Sequence, residues 1–174
     1  MWKAEQCSSG VEVDKCRERL KNYCHGCGLD VGSGGRHPDR LHDTENKIRP
    51  LAIGVDLLGS QLIGYANNLK WFKDDVLDYV FSSHLLEHMA DISGTLKEWL
   101  RVLKPGGRIV LYLPLEGHYP SVGEPGANSD HKHNLTPGKL IEIFSKIPIE
   151  ISIIRVEERI EGDEYSFDFV VKKT

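Results

Sequence analysis

Gly28-Leu29-Asp30-Val31-Gly32-Ser33-Gly34-Gly35 is a short apolar strand that runs into an acid and then a glycine-rich turn. Glycines in such a turn let the backbone lie close to a ligand and adopt φ angles that a Cβ forbids. Twenty-two residues beyond Gly34, Ile53-Gly54-Val55-Asp56 reads as a second strand ending in an acid. In a βαβ unit, an acid at the tip of the second strand suits the two hydroxyls of a ribose. The two segments together imply a nucleoside-containing ligand lying across the first two strands of an α/β sheet.

A dinucleotide site would read G-x-G-x-x-G, with a helix N-terminus aimed at a pyrophosphate. Here the turn continues Gly34-Gly35-Arg36-His37, so the last glycine of that pattern is missing. Asp30, inside the strand, would repel a pyrophosphate and attract an ammonium or sulfonium. Leu29-Asp30-Val31-Gly32-Ser33-Gly34-Gly35 resembles the first motif of the class I S-adenosylmethionine-dependent methyltransferases, in particular the methyltransferase type 11 group. Asp56 matches that family's ribose acid. Gly64-Tyr65-Ala66-Asn67-Asn68-Leu69 resembles the adenine-binding segment. Leu77-Asp78-Tyr79-Val80-Phe81-Ser82-Ser83-His84-Leu85-Leu86-Glu87-His88 is similar to the fourth-strand motif and is the most specific match. Trp99-Leu100-Arg101-Val102-Leu103-Lys104-Pro105-Gly106-Gly107-Arg108 resembles the helix and turn that lead into strand five. The resemblance runs from about residue 22 to the end, in the family's order.

The resemblance implies a Rossmann-like α/β fold: a seven-stranded sheet of order 3-2-1-4-5-7-6, strand seven antiparallel, with helices on both faces. It implies S-adenosyl-L-methionine as cofactor. Asp30, Gly32, Ser33 and Gly34 would hold the methionine and adenosine parts against the first turn, and Asp56 and Leu57 the ribose end. Tyr65 stands where the family often has an acid for the adenine amine. It would stack instead, or Asn67 and the backbone of Ala66 would read the adenine edge. Ser82, Ser83 and His84 sit where strand four meets the crevice at the carboxyl ends of the strands. Asp56 as a helix cap, the glycines as a plain tight turn and His84 as a cap of the following helix are the purely structural alternatives. Glu87 and His88, one turn further on, read as structural.

The chain has 174 residues, 40% of them apolar, and a net charge of −4. That length suits one domain, 1–174, with an N-terminal helical segment over 1–22 and an active-site loop over 114–135. At this size about 70% of the unfolded chain's surface would be buried. The acidic balance gives no sign of a general nucleic-acid or anionic-membrane binder. No apolar run approaches the roughly 18 residues that span a bilayer. The N-terminus lacks the apolar core of a signal peptide, so a cytoplasmic location is the expectation. Among four cysteines, Cys24-His25-Gly26-Cys27 has the spacing of half a zinc site, but Cys7 and Cys16 do not form a matching pair. Buried, reduced thiols are the simpler reading, and no metal site is assigned.

Along the chain, the periodicity predicts a helix over 11–22 and strands near 26–31, 51–55, 77–82 and 108–113. A short helix is predicted from Gly59 to Ile63. Leu96, Trp99, Leu100 and Leu103 mark a helix over about 93–103. Thr136-Pro137 reads as an N-cap and first-turn proline. Ile149–Val156 and Tyr165–Val171 read as an antiparallel hairpin at the sheet edge.

The loop 114–135 holds His118, His131 and His133. Loops of that length in compact domains are usually functional or disordered. A histidine near neutral pKa is a natural base for a hydroxyl acceptor, and His133 and His131 are the first candidates, with His84 behind them. His131-x-His133 with His118 as a metal site, and solvated loop histidines, are the alternatives. The sequence lacks the Asn/Asp-Pro-Pro-Tyr of adenine-N6 enzymes and the Pro-Cys nucleophile of cytosine-C5 enzymes. No nucleic-acid or membrane partner is expected. The expected activity is methyl transfer to an oxygen or nitrogen of a small molecule or saccharide. The small cap leaves room for a homodimer or partner protein to complete the acceptor site. A cofactor-binding subunit without turnover, and a dinucleotide-dependent oxidoreductase, are the competing readings.

Overall fold

Buried β-branched and aromatic residues build the centre of the molecule, and their alternation sorts two cores onto the two faces of one sheet. The computed structural model describes residues 12–33, 52–57, 60 and 62–174. Elements run in the order α1 (Glu12–Leu20), β1 (Gly28–Val31), β2 (Ile53–Asp56), β3 (Leu62–Ile63), β4 (Leu77–Ser83), α2 (Ile92–Val102), β5 (Leu103–Pro114), α3 (Pro137–Ser145), β6 (Ile151–Glu161) and β7 (Glu164–Lys173). The sheet has seven strands in the order β3-β2-β1-β4-β5-β7-β6. β3, β2, β1, β4 and β5 are mutually parallel, and β7 is antiparallel to both β5 and β6. This is the order and hand of strand expected above.

Tyr79, Phe81, Val110, Tyr112 and Val170 project to one face, where Cys16 and Leu20 of α1 cover them. Val80, Ile109, Leu111, Phe167 and Phe169 project to the other, beneath Leu96, Trp99 and Leu100 of α2 and Leu140 and Phe144 of α3. Both faces of the parallel strands are thus covered, and strands of this kind lose the polar alternation of a half-exposed sheet. Phe144 and Phe169 stack at 5.8 Å between ring centroids, joining α3 to β7.

Helix starts follow their cap residues. The Asp91 side chain accepts from the Gly94 amide at 2.8 Å and opens α2. The Thr136 hydroxyl accepts from the Lys139 amide at 3.2 Å, with Pro137 in the first turn of α3. Each satisfies an amide that has no partner within the helix.

Three expectations need correction. Leu62–Ile63 is not helical; it is strand β3, paired with Val55 and Asp56, and two residues are too few to show a period. Gly59 lies outside the described residues. Helix α2 stops at Val102, and Leu103 already pairs with Leu77. Pro105 excludes helical φ/ψ at Lys104, and Gly106 at φ +83° makes the irregular step from which β5 proceeds. The C-terminal hairpin, Ile151–Glu161 and Glu164–Lys173, is longer than the apolar runs suggested, with β6 at the edge and β7 beside β5 as the expected order has it. Residues 34–51, where a helix after the glycine turn would fall, lie outside the described residues. Among the described residues, no helix is long and apolar enough to cross a membrane.

Candidate active site

Register brings the ends of three strands level. Val31 pairs with Val55 on one side and Ser82 on the other. Asp30 pairs with Gly54, so Asp56, two residues on, points to the same face of the sheet as Asp30. Asp30 is also opposite Phe81, which places both acids on the α1 side. The Asp30 carboxyl is buried, and burial, followed by the like charge of Asp56, raises its pKa to about 7. A cation placed beside it would restore the ionised form.

Gly32 turns the chain at φ +77°, donating to the Val55 carbonyl at 2.8 Å. A Cβ there would come within 2.8 Å of the Leu85 side chain, so only glycine fits both the angle and the space. The Ser33 and Ser60 hydroxyls hydrogen-bond to one another, which fastens the turn to the segment after β2. Gly34 lies outside the described residues. Asp56 accepts from its neighbour Leu57 at 2.6 Å, and the Leu57 side chain is exposed.

The segment after β3 is held from α2. Trp99 Nε1 donates to the Ala66 carbonyl at 2.7 Å, and Glu98 Oε1 accepts from the Leu69 amide at 2.8 Å. Arg101 donates to the Leu69 and Phe72 carbonyls at 3.1 and 3.0 Å. Fixed in this way, the segment presents Tyr65 and Asn67 to solvent, with the Tyr65 side chain 65% exposed. A ring so exposed is available for stacking.

At the end of β4, the Ser82 hydroxyl is fully buried and has no hydrogen-bond partner, while Ser83 is half-buried. His84 adopts φ +48°, a left-handed conformation uncommon outside glycine. Its amide donates to the Tyr112 carbonyl at 2.9 Å, and its Nε2 lies 3.2 Å from the Ser166 hydroxyl. Burial, then the neighbouring His131, Lys15 and His88, pushes the His84 pKa down to about 3. The ring is therefore neutral at physiological pH and is a weak proton acceptor.

The loop after β5 packs its histidines unequally. His118 is exposed and stacks flat on Tyr165 at 5.7 Å. His131 and His133 instead line a cleft with Tyr119, Leu115, Glu116 and Asn134. His133 Nε2 is buried there and has no hydrogen-bond partner among the described residues. His131 turns its Nε2 to within 3.8 Å of Glu87 Oε1, and burial, then His88, lowers its pKa. The grouping of His118 with His131 and His133 around a metal is not formed. Glu87, read above as structural, is completely buried, and it joins His88 and His131 in a cluster that no sequence spacing announced. Cys16 and Cys24 are buried and Cys27 is exposed. Among the described residues none of these cysteines joins a metal-ligating group.

The profile of the family described as "Methyltransferase domain" matches residues 10–111. The uncharacterized protein YafE of Escherichia coli (strain K12) is 27% identical over 107 residues, 51% of this chain and 51% of that protein. The chain therefore spans about half the length of that curated relative. A SAM dependent methyltransferase from Archaeoglobus fulgidus superposes with a TM-score of 0.70 at 19% identity, covering 95% of each chain. The 1,6-didemethyltoxoflavin-N1-methyltransferase of Burkholderia thailandensis, solved with 1,6-didemethyltoxoflavin and S-adenosylhomocysteine bound, superposes at 0.69 and 14% identity, covering 96% of this chain and 80% of that one. At these identities the structures establish the fold. With the profile spanning more than half of the sequence, the chain belongs to the methyltransferase-domain family, the class I S-adenosylmethionine-dependent methyltransferases that its glycine turn and fourth-strand motif resemble.

Proposed function

We propose that this domain transfers a methyl group from S-adenosylmethionine to an oxygen or nitrogen of a small-molecule or saccharide acceptor. The observation that carries the reading is the placement of Asp30 and Asp56 on one face of the sheet, at adjacent strand ends beside left-handed Gly32. These residues fit the cofactor: a desolvated carboxylate favours an ammonium, and a strand-end acid favours a ribose. When bound, the cofactor supplies a methyl group already activated by a positive sulfonium. The protein's task is then alignment of the two reactants, which supplies most of the rate. Asp30 would take the methionine ammonium, Asp56 the ribose hydroxyls, and Tyr65 one face of the adenine.

His133 is the base this arrangement favours for a hydroxyl acceptor. Among the described residues its Nε2 has no hydrogen-bond partner, and it lines the cleft formed within the loop 114–135. His84 is too weak a base and is tied to Ser166. The cleft has a volume of only about 10 Å³, close to that of one water, so an acceptor needs the loop to rearrange around His133. The same closed cleft favours a second reading, a cofactor-binding partner subunit without turnover. Labelled methyl transfer to a panel of metabolites and saccharides separates the two. Transfer is expected to at least one acceptor, and His133→Ala is expected to lower kcat on a hydroxyl acceptor by about 10²-fold or more. S-adenosylhomocysteine binding with no transfer to any acceptor would favour the partner subunit.

A further inference from the structure

Glu87 carries a carboxyl group that is fully buried and, among the described residues, has no hydrogen-bond partner at either oxygen. Three imidazoles surround it. His88 Nε2 and His131 Nε2 are each 3.8 Å from Glu87 Oε1, and His84 Nδ1 is 3.9 Å away. The His88 and His131 rings meet edge to face at 4.6 Å, and the His88 ring hydrogen-bonds the backbone of Asp130. Glu87 is itself clamped into the loop, because its carbonyl accepts from the Lys132 and His133 amides at 2.9 and 3.2 Å. Lys132 Nζ adds a bond to the His88 carbonyl at 2.9 Å. A buried carboxyl is costly to ionise without a cation beside it, and the imidazole nitrogens facing it complete the donor set that a metal ion needs. The ligand atoms of Glu87, His88 and His131 lie within 4.8 Å of one another.

We propose that Glu87, His88 and His131 bind one divalent cation of the zinc class, which ties the loop 114–135 to the turn after β4 and leaves a coordination position open. Two imidazoles and one carboxylate suit zinc or another borderline first-row ion better than magnesium or calcium, which take oxygen ligands. Zinc bound at about 2.0–2.1 Å to each ligand brings the ligand atoms to about 3.3 Å apart. The two imidazole nitrogens need to close on Glu87 Oε1 by about half an ångström, and on each other by at most about 1.5 Å. The Asp130 backbone already orients the His88 ring, as the partners of metal-bound imidazoles commonly do. Three protein ligands leave room for water or for an acceptor heteroatom. That last role rests on the methyl-transfer reading, whereas the ion site does not.

The test is zinc calorimetry and cobalt absorption on the tag-free full chain, with S-adenosylhomocysteine affinity measured on the same samples. One ion per chain is expected, with a cobalt spectrum lacking the thiolate charge-transfer band. His88→Ala and His131→Ala are each expected to weaken zinc by at least about tenfold, as is Glu87→Gln. A Cys24→Ser/Cys27→Ser double variant is expected to bind zinc as the wild type does. Retained S-adenosylhomocysteine affinity shows that the histidine variants are folded. Wild-type protein that binds S-adenosylhomocysteine but no zinc overturns the ion site and leaves the methyl-transfer reading standing. Zinc binding lost in the cysteine variant and kept in His131→Ala overturns it as well. Zinc binding without S-adenosylhomocysteine binding supports the ion site and counts against the cofactor assignment.

Discussion

Asp168→Ala is expected to remove about 3–5 kcal/mol of stability and to lower Tm by roughly 6–20 °C. Asp168 is fully buried on the α1 side of β7. Its Oδ2 accepts from Arg19 Nε at 2.9 Å and from Arg155 Nε at 3.0 Å, and Oδ1 accepts from Arg19 Nη2 at 3.2 Å. Arg19 also pairs with Glu164 and lies over the Tyr112 ring at 5.5 Å, while the Tyr112 hydroxyl donates to Glu164 at 2.9 Å. One carboxylate thus ties α1 and β6 to β7, and Arg19 and Glu164 carry the network on to Tyr112 of β5. Removing it leaves two half-buried guanidinium groups without their shared partner, and breaking such a pair costs far more than the pair contributes over an apolar replacement. Urea unfolding with an unchanged m-value measures the loss. A change below about 1 kcal/mol would mean that solvent screens the network as it screens surface pairs. The same network sets α1 beside the strand ends, where Glu12 Oε2 approaches His84 Nε2 at 3.7 Å, so the site inherits its rigidity.

The affinity for S-adenosylhomocysteine, which keeps the amino-acid ammonium, is expected to rise about fivefold between pH 6 and 7 and about tenfold in all by pH 8, where it levels off. The cause is Asp30, raised to about 7 by burial and by Asp56. Ligand binding needs the ionised carboxylate, so below about pH 7 it must first expel a proton. The sign for stability is opposite. A carboxyl raised in the folded state holds a proton that the unfolded chain has already released. Its contribution to stability is therefore most favourable at low pH and declines as pH rises from about 4 to 7. Glu87, raised by burial to about 8, extends that decline of the ion-free protein by about one pH unit. Asp30→Asn is expected to flatten the pH profile of binding and to weaken it at pH 8. A wild-type profile that is itself flat would mean that Asp30 does not meet the ammonium.

Much of this was legible in the sequence wherever one short segment carries its own signal. The strand, acid and glycine of residues 28–35, the acid of Asp56 at the family distance and the Thr136-Pro137 cap each declare themselves locally. β3 did not, since two residues paired to Val55 and Asp56 show no period. The start of β5 was hidden because Lys104-Pro105-Gly106-Gly107 has turn chemistry and yet enters a strand through one left-handed glycine. Asp168 carries no local signal in the sequence, because its partners Arg19 and Arg155 belong to other elements. Glu87, His88 and His131 meet only when the loop folds back onto the turn after β4. Their meeting depends on tertiary packing, and the local spacing of the fourth-strand motif carries no trace of it.

The central claim, that Asp30 and Asp56 hold an adenosyl cofactor across β1 and β2, is tested most directly by calorimetry of S-adenosylhomocysteine and NAD against wild type, Asp30→Asn and Asp56→Ala at pH 8. The expected result is S-adenosylhomocysteine binding to the wild type, no measurable NAD binding, and at least a tenfold loss in each variant, about 1.4 kcal/mol. Unchanged S-adenosylhomocysteine affinity in both variants, or a preference for NAD, would contradict it.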